Sequence, residues 1–146
     1  MQHFIEQHPL LYVLLFLAVF LPAFSFVSIW WTGWAQLARV FPAHEKFTGT
    51  LRRFQHARMR LGFEYGGVLT AGVNSEGLYL ATWRYFLMFH SPLFIPWSEI
   101  YIRKRKSFLS SGIVLELGTD LRVPITLYGQ IAEDIRNSPA SLYSPL

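Results

Sequence analysis

Leu10–Trp31 reads LLYVLLFLAVFLPAFSFVSIWW, and its only polar side chains are Tyr12, Ser25 and Ser28. As a helix these residues rise about 33 Å at about 1.5 Å each, enough to cross a hydrocarbon core of about 30 Å. A lone span must be helical, because only a helix satisfies its own backbone in lipid. Pro22 removes one backbone donor and predicts a kink. A hairpin folded at Pro22 would have arms of about 18 Å, too short for two crossings, which leaves a re-entrant loop as the competing reading. Trp30, Trp31 and Trp34 close the run as interface anchors, since indole rings favour the headgroup level.

A cleaved signal peptide is the main alternative. Its leading region should be positive, yet only Glu6 and the weakly basic His3 and His8 precede Leu10. Bulky Trp30 and Trp31 also follow the run where small residues would mark cleavage. An uncleaved anchor is therefore the expectation. All 13 Lys and Arg residues lie after residue 38. The excess of positive charge on that side predicts a cytoplasmic C-terminal part and an external N-terminus.

Overall the chain has 146 residues, of which 15% are charged, well below the roughly 25% of an ordinary soluble domain. That deficit sits in residues 7–38, which contain no Asp, Glu, Lys or Arg. The rest of the chain is long enough for one domain. A complete lack of cysteine excludes a disulfide framework, and the aromatic content of 17% excludes a disordered chain.

Beyond the apolar run, Trp34, Leu37, Ala38 and Phe41 mark one face of a short helix stopped by Pro42, either extending the span or lying on the surface. Residues 43–60 read as a basic connector, partly helical, carrying Arg52, Arg53, Arg58 and Arg60. From Gly66 the pattern changes to strands. Gly67–Val73 and Leu78–Trp83 flank Asn74-Ser75-Glu76-Gly77, a turn whose glycine suits a positive φ. Leu93–Trp97 and Ile100–Arg105 are the next two runs. Then Ile113, Leu115 and Leu117 alternate with Val114 and Glu116, Gly118-Thr119-Asp120 turns, and Leu121, Val123, Ile125 and Leu127 alternate with Arg122, Pro124 and Thr126. Pro124 marks that last strand as an edge or a bulge. Tyr128, Ile131, Ala132 and Ile135 form one face of a closing helix.

This order of six or seven strands and a C-terminal helix resembles the pleckstrin-homology-like (PH-like) fold, in the form found beside membrane spans in small bacterial proteins. Two segments carry the likeness: Val73–Leu80, with its turn and Gly77, and Pro92–Ile100, in which Ile95-Pro96-Trp97-Ser98-Glu99-Ile100 matches an I-P-W-x-x-I strand end. Gly77, Pro96, Trp97 and Ile100 are its signature residues. It covers about residues 60–137 and is weakest at the domain's first strand, expected around Leu61–Tyr65. The resemblance implies a membrane-anchored α+β chain: one N-terminal transmembrane helix, then a PH-like antiparallel β half-barrel closed by a helix. The resulting division is an external N-terminus at 1–9, the span at 10–32, an amphipathic helix and basic connector at 33–60, the PH-like domain at 61–138 and a flexible tail at 139–146. It also implies the bacterial inner membrane as the location.

Catalytic patterns are scarce. His44-Glu45-Lys46-Phe47-Thr48 begins like a zincin helix but has Thr48 where the second His must stand. The other histidines have no ligand spacing, so neither metal nor cofactor is expected. Gly62, Gly66, Gly67 and Gly72 read as strand-end and bulge glycines. Glu99 reads as a turn cap, with a membrane-bound enzyme using Glu99 and His90 as the remote alternative. Arg103-Lys104-Arg105-Lys106 is the densest basic run. Together with Arg52, Arg53, Arg58 and Arg60 it is the candidate contact for anionic phospholipid headgroups or a partner, each charge near such a leaflet being worth about 1 kcal/mol. Nucleic acid fits poorly, since few aromatics interleave with these charges. The expected role is binding: docking a protein partner at the bilayer, assisted by anionic lipid.

Overall fold

The computed structural model describes residues 8–62, 64–83, 89–103 and 112–139. Most of the expected external N-terminus and all but the first residue of the expected tail lie outside the described residues. Helix α1 (Pro9–Trp31) runs unbroken through Pro22, which removes the re-entrant loop as a reading. It is long and apolar enough to cross a bilayer, and no residue from Pro9 to Phe24 is buried. Thr32 and Gly33 separate it from α2 (Trp34–Val40); Gly33 has φ +86°, a left-handed backbone that favours glycine. Helix α2 neither extends α1 nor lies free on a surface. Trp34 and Leu37 are fully buried and belong to the same core as the strands.

Seven strands form one nearly closed antiparallel sheet: β1 (Thr50–Arg58), β2 (Glu64–Val73), β3 (Gly77–Thr82), β4 (Leu93–Pro96), β5 (Ile100–Arg103), β6 (Ile113–Leu117) and β7 (Val123–Leu127). Their order across the sheet is β4-β3-β2-β1-β7-β6-β5. Helix α3 (Gln130–Arg136) follows β7 and buries Ile131, Ala132 and Ile135, the face expected from their spacing. Alternation governs the strands. Leu78 and Leu80, Leu93 and Ile95, Leu115 and Leu117, and Val123, Ile125 and Leu127 all turn inward. Each such aliphatic side chain contributes about 1.5–3 kcal/mol on full burial.

Three local expectations change. Thr50–Arg58, within the stretch expected to be a basic connector, is a strand that pairs with both β2 and β7. Its buried positions are too few for a visible alternation: among its nine residues only Ala57 is buried. Leu61–Tyr65 is not a strand of its own, because Arg60–Gly62 forms a 3-10 turn and β2 begins at Glu64. Gly77 does not have a positive φ; it is demanded by space, since a Cβ there would lie 2.3 Å from the carbonyl oxygen of Ile95.

Bulges shape the β1–β2 pair. Arg52 faces Ala71 and Gln55 faces Leu69, which inserts one extra residue in β1; Gln55 to Ala57 then spans Leu69 to Tyr65, which inserts two in β2. Gly67, at φ +73°, lies in the second, as a bulge glycine should. Pro124 pairs across to Glu116, while β1 meets β7 only at Thr126 and Leu127, so the proline lies where that side of β7 has no ladder. The β4 edge is covered by the chain itself: Phe94 N–H donates to Phe41 O at 3.0 Å and Ala43 N–H to Pro92 O at 3.0 Å.

Candidate functional site

The junction between α1 and the β module is built from polar groups. Ser25, Ser28 and Thr32 stand at i, i+3 and i+7, one face of the helix, and all three are buried. Opposite them stand Tyr65 from β2 and His90 from the segment before β4, both buried. Thr32 Oγ1 donates to Ser28 O at 2.8 Å, and Tyr65 Oη donates to Thr32 Oγ1 at 3.1 Å. Having donated its one proton, Tyr65 Oη accepts from His90 Nε2 at 2.9 Å. That places the imidazole proton on Nε2 and leaves Nδ1 to accept from Ser25 Oγ at 3.4 Å. Ser25 Oγ in turn accepts from Phe89 N–H at 3.4 Å. The bonds form one directional chain from Phe89 to Ser28.

Such a chain requires neutral His90. Burial pushes its pKa down to about 4, and burial likewise raises the Tyr65 phenol above its usual value. Trp34 packs over the imidazole at 5.1 Å between ring centroids and donates its indole N–H to Ser91 O at 2.9 Å. A polar network this well satisfied fixes one geometry for the groups it joins. Here it joins a bilayer-length helix directly to a β domain.

The tryptophans expected as interface anchors divide. Trp30 and Trp31 are 48% and 62% exposed, and the Arg39 guanidinium lies 5.2 Å from the Trp30 ring. Trp34 has no exposed surface and is a core residue, because the turn at Thr32-Gly33 redirects it into the module.

Among the described residues, three of the basic candidates are paired with carboxylates. Arg52 binds Asp134 of α3, Arg58 binds Glu64, and Arg103 binds Glu116 at 2.9 Å. Arg53 and Arg60 have no acidic partner among the described residues. Lys104, Arg105 and Lys106 lie outside the described residues. Arg52 and Arg53, adjacent in sequence, diverge: one reaches α3, the other lines a pocket with Val68 and Tyr79.

Glu99 is a turn cap. Its carboxylate accepts from the Thr119 backbone N–H at 2.8 Å and from Thr119 Oγ1 at 2.6 Å, which holds its pKa below the usual carboxylate value. His90 belongs to the junction network instead, so the two residues of the enzyme alternative serve separate hydrogen-bonded groups. Among the described residues no cluster of three or more His, Asp or Glu side chains could hold a metal ion.

Of the four signature residues, three stand at one corner and Ile100 begins β5 in the core. Gly77 pairs with Pro96, and Trp97 reaches back to the Asn74 turn. Sequence reasoning missed the junction network, although a signal was present: Ser25 and Ser28 are two of only three polar residues in the apolar run, and they share a helix face with Thr32. Comparison of the chain with protein-family models, curated proteins and solved structures found no match.

Proposed function

We propose that this chain is a single-pass membrane protein whose PH-like module, on the cytoplasmic face of a bacterial inner membrane, docks a protein partner there. The observation that carries this reading is the junction. One face of the last turns of α1, Ser25, Ser28 and Ile29, seals onto the module while Phe26, Val27, Trp30 and Trp31 stay exposed, so the helix holds the β domain in one orientation. A rigidly mounted binding surface suits a scaffold, whose partner meets the same face in every copy. The junction also supports retention of the helix, since cleavage after Trp31 would strip Ser25 and Ser28 from the buried network. Exposed Trp30 and Trp31 suit the headgroup level.

Anionic lipid assists, in this reading, through the cations without acidic partners. The pairing of Arg52, Arg58 and Arg103 with carboxylates argues against a broad cationic face. The test is affinity capture of the tagged full chain from membranes in a mild detergent. A stoichiometric membrane partner is the expected result, and recovery of the chain alone overturns the scaffold role. A C-terminal reporter active only outside the cytoplasm overturns the orientation.

A further inference from the structure

The length of α1 constrains where the β module sits. No residue from Pro9 to Phe24 is buried, and this stretch rises about 24 Å at about 1.5 Å per residue. A hydrocarbon core of about 30 Å is thicker by about 6 Å. The shortfall falls on Ser25–Trp31, the turns whose one face seals onto the module while Phe26, Val27, Trp30 and Trp31 stay exposed. Those turns cannot enter the acyl layer without taking with them whatever is packed against them.

What is packed there suits that depth. Phe89 of the module meets Phe26 edge-on at 5.7 Å between ring centroids, and both rings remain about half exposed. The irregular segment that carries Phe89 has its backbone engaged: Phe89 N–H donates to Ser25 Oγ at 3.4 Å, Ser91 O accepts from the Trp34 indole at 2.9 Å, and Pro92 O accepts from Ala43 N–H at 3.0 Å. Non-helical backbone near lipid is tolerable only when so paired. Neither residues 89–92 nor residues 7–38 contain an Asp, Glu, Lys or Arg. Further along the helix axis come the exposed indoles of Trp30 and Trp31, and then the cations. The Arg39 guanidinium lies over the Trp30 ring at 5.2 Å, and that of Arg60 comes within 3.4 Å of where a Cβ on Gly33 would stand. Apolar rings, indoles and guanidiniums thus succeed one another in the order of a leaflet, from acyl chains to phosphates.

We infer that the β module is itself a lipid-binding surface, seated in the leaflet where α1 ends, with Phe89 in the upper acyl layer beside Phe26 and with Arg39 and Arg60 at the phosphates. The partner is the lipid surface. A depth of about 6 Å lies within the roughly 5–10 Å to which apolar faces sink at such an interface. Local thinning of the bilayer would close the same gap, but it would leave Phe89 in water. The inference rests on the reading of α1 as a span and adds to it a second lipid contact, made by the module.

The experiment places single nitroxides, through Leu17→Cys, Phe26→Cys, Ser75→Cys and Phe89→Cys, on the full chain in phosphatidylcholine nanodiscs. Depth is read from collision with oxygen against collision with a water-soluble nickel chelate. Leu17 should be deepest, and the depths at 26 and 89 should differ by no more than the 5.7 Å between the two rings. Ser75, exposed in the turn after β2, should be in water. Nickel access at 89 equal to that at 75, with Leu17 still in lipid, overturns the seat and leaves the span intact. Nickel access at Leu17 removes the span and the seat with it. Because a label at 89 removes the ring contact with Phe26, the unaltered chain is also photolabelled by phosphatidylcholine carrying a diazirine near the head of one acyl chain, and the adducts are mapped by mass spectrometry. Adducts on Phe89 as well as on Phe26 and Val27 are expected, and adducts confined to α1 overturn the seat. None of these outcomes bears on partner capture.

Discussion

The indole N–H of Trp97 donates to the backbone carbonyl of Asn74 at 2.9 Å, tying the turn after β4 to the turn before β3. The contact is supported on both sides. Asn74 Oδ1 accepts from the N–H groups of Glu76 and Gly77 at 2.8 and 2.9 Å, and Trp97 N–H donates to Glu76 O at 3.2 Å. Two segments 23 residues apart thus form one corner, and Gly77 lets β3 and β4 approach there.

That corner should be intolerant of small changes. Gly77→Ala places a methyl against the Ile95 carbonyl, a backbone atom that cannot swing aside, and should cost about 3 kcal/mol. Trp97→Phe should cost about 1–3 kcal/mol through the lost bond and the space left behind. Thermal unfolding of the full chain in detergent measures both; an unchanged midpoint for Gly77→Ala would refute the close approach.

The junction should be sensitive to acid. His90 stays neutral in the fold down to about pH 4, whereas an unconstrained imidazole takes its proton near 6.5. Between those values the unfolded chain binds more protons, so stability falls as pH drops from 6.5 towards 4 and levels off below. The loss is of order 3 kcal/mol. His90→Asn should flatten this part of the stability profile. Glu99, whose pKa is lowered, adds a loss at lower pH that the variant keeps, so the difference between the two profiles isolates His90. Identical profiles would show that His90 is not buried neutral.

Rigidity of the mount is measurable because the chain has no cysteine of its own. Spin labels on cysteines at Ala23, on the exposed side of α1, and at Asp120, in the β6–β7 turn, should give one narrow distance distribution in nanodiscs. Tyr65→Phe leaves Thr32 Oγ1 and His90 Nε2 without their partner, costs about 1–3 kcal/mol, and should broaden the distribution. A broad distribution in the parent chain would contradict a rigid junction.

Arg52 and Asp134 join β1 to α3. Arg52→Asp should lower the unfolding midpoint by placing two carboxylates together, and the added change Asp134→Arg should recover most of the loss. A swap no better than the single variant would mean that charge pairing at this site is incidental.

Much of the β architecture was readable from local pattern. Ile113–Leu117 and Val123–Leu127 alternate because each has one face in the core, and α3 shows its buried stripe for the same reason. Strand β1 was not readable, since an exposed, arginine-bearing strand held by ladders on both sides has no hydrophobic period to display. The pairing of the basic candidates was not readable either, because sequence counts charges and does not show which carboxylates will stand beside them. Arg58 and Glu64 are 6 apart, while Arg52 and Asp134 are 82 apart.

Composition and order alone decided that an apolar helix of bilayer length precedes a β domain closed by a helix, because chain length, charge distribution and side-chain period are one-dimensional properties. Only the tertiary structure decided that Trp34 is core and not interface, and that Ser25 and Thr32 meet His90 and Tyr65. Those relations depend on how a turn at Gly33 and two bulges in the β1–β2 pair aim side chains, and a single residue's register can send a group to either face.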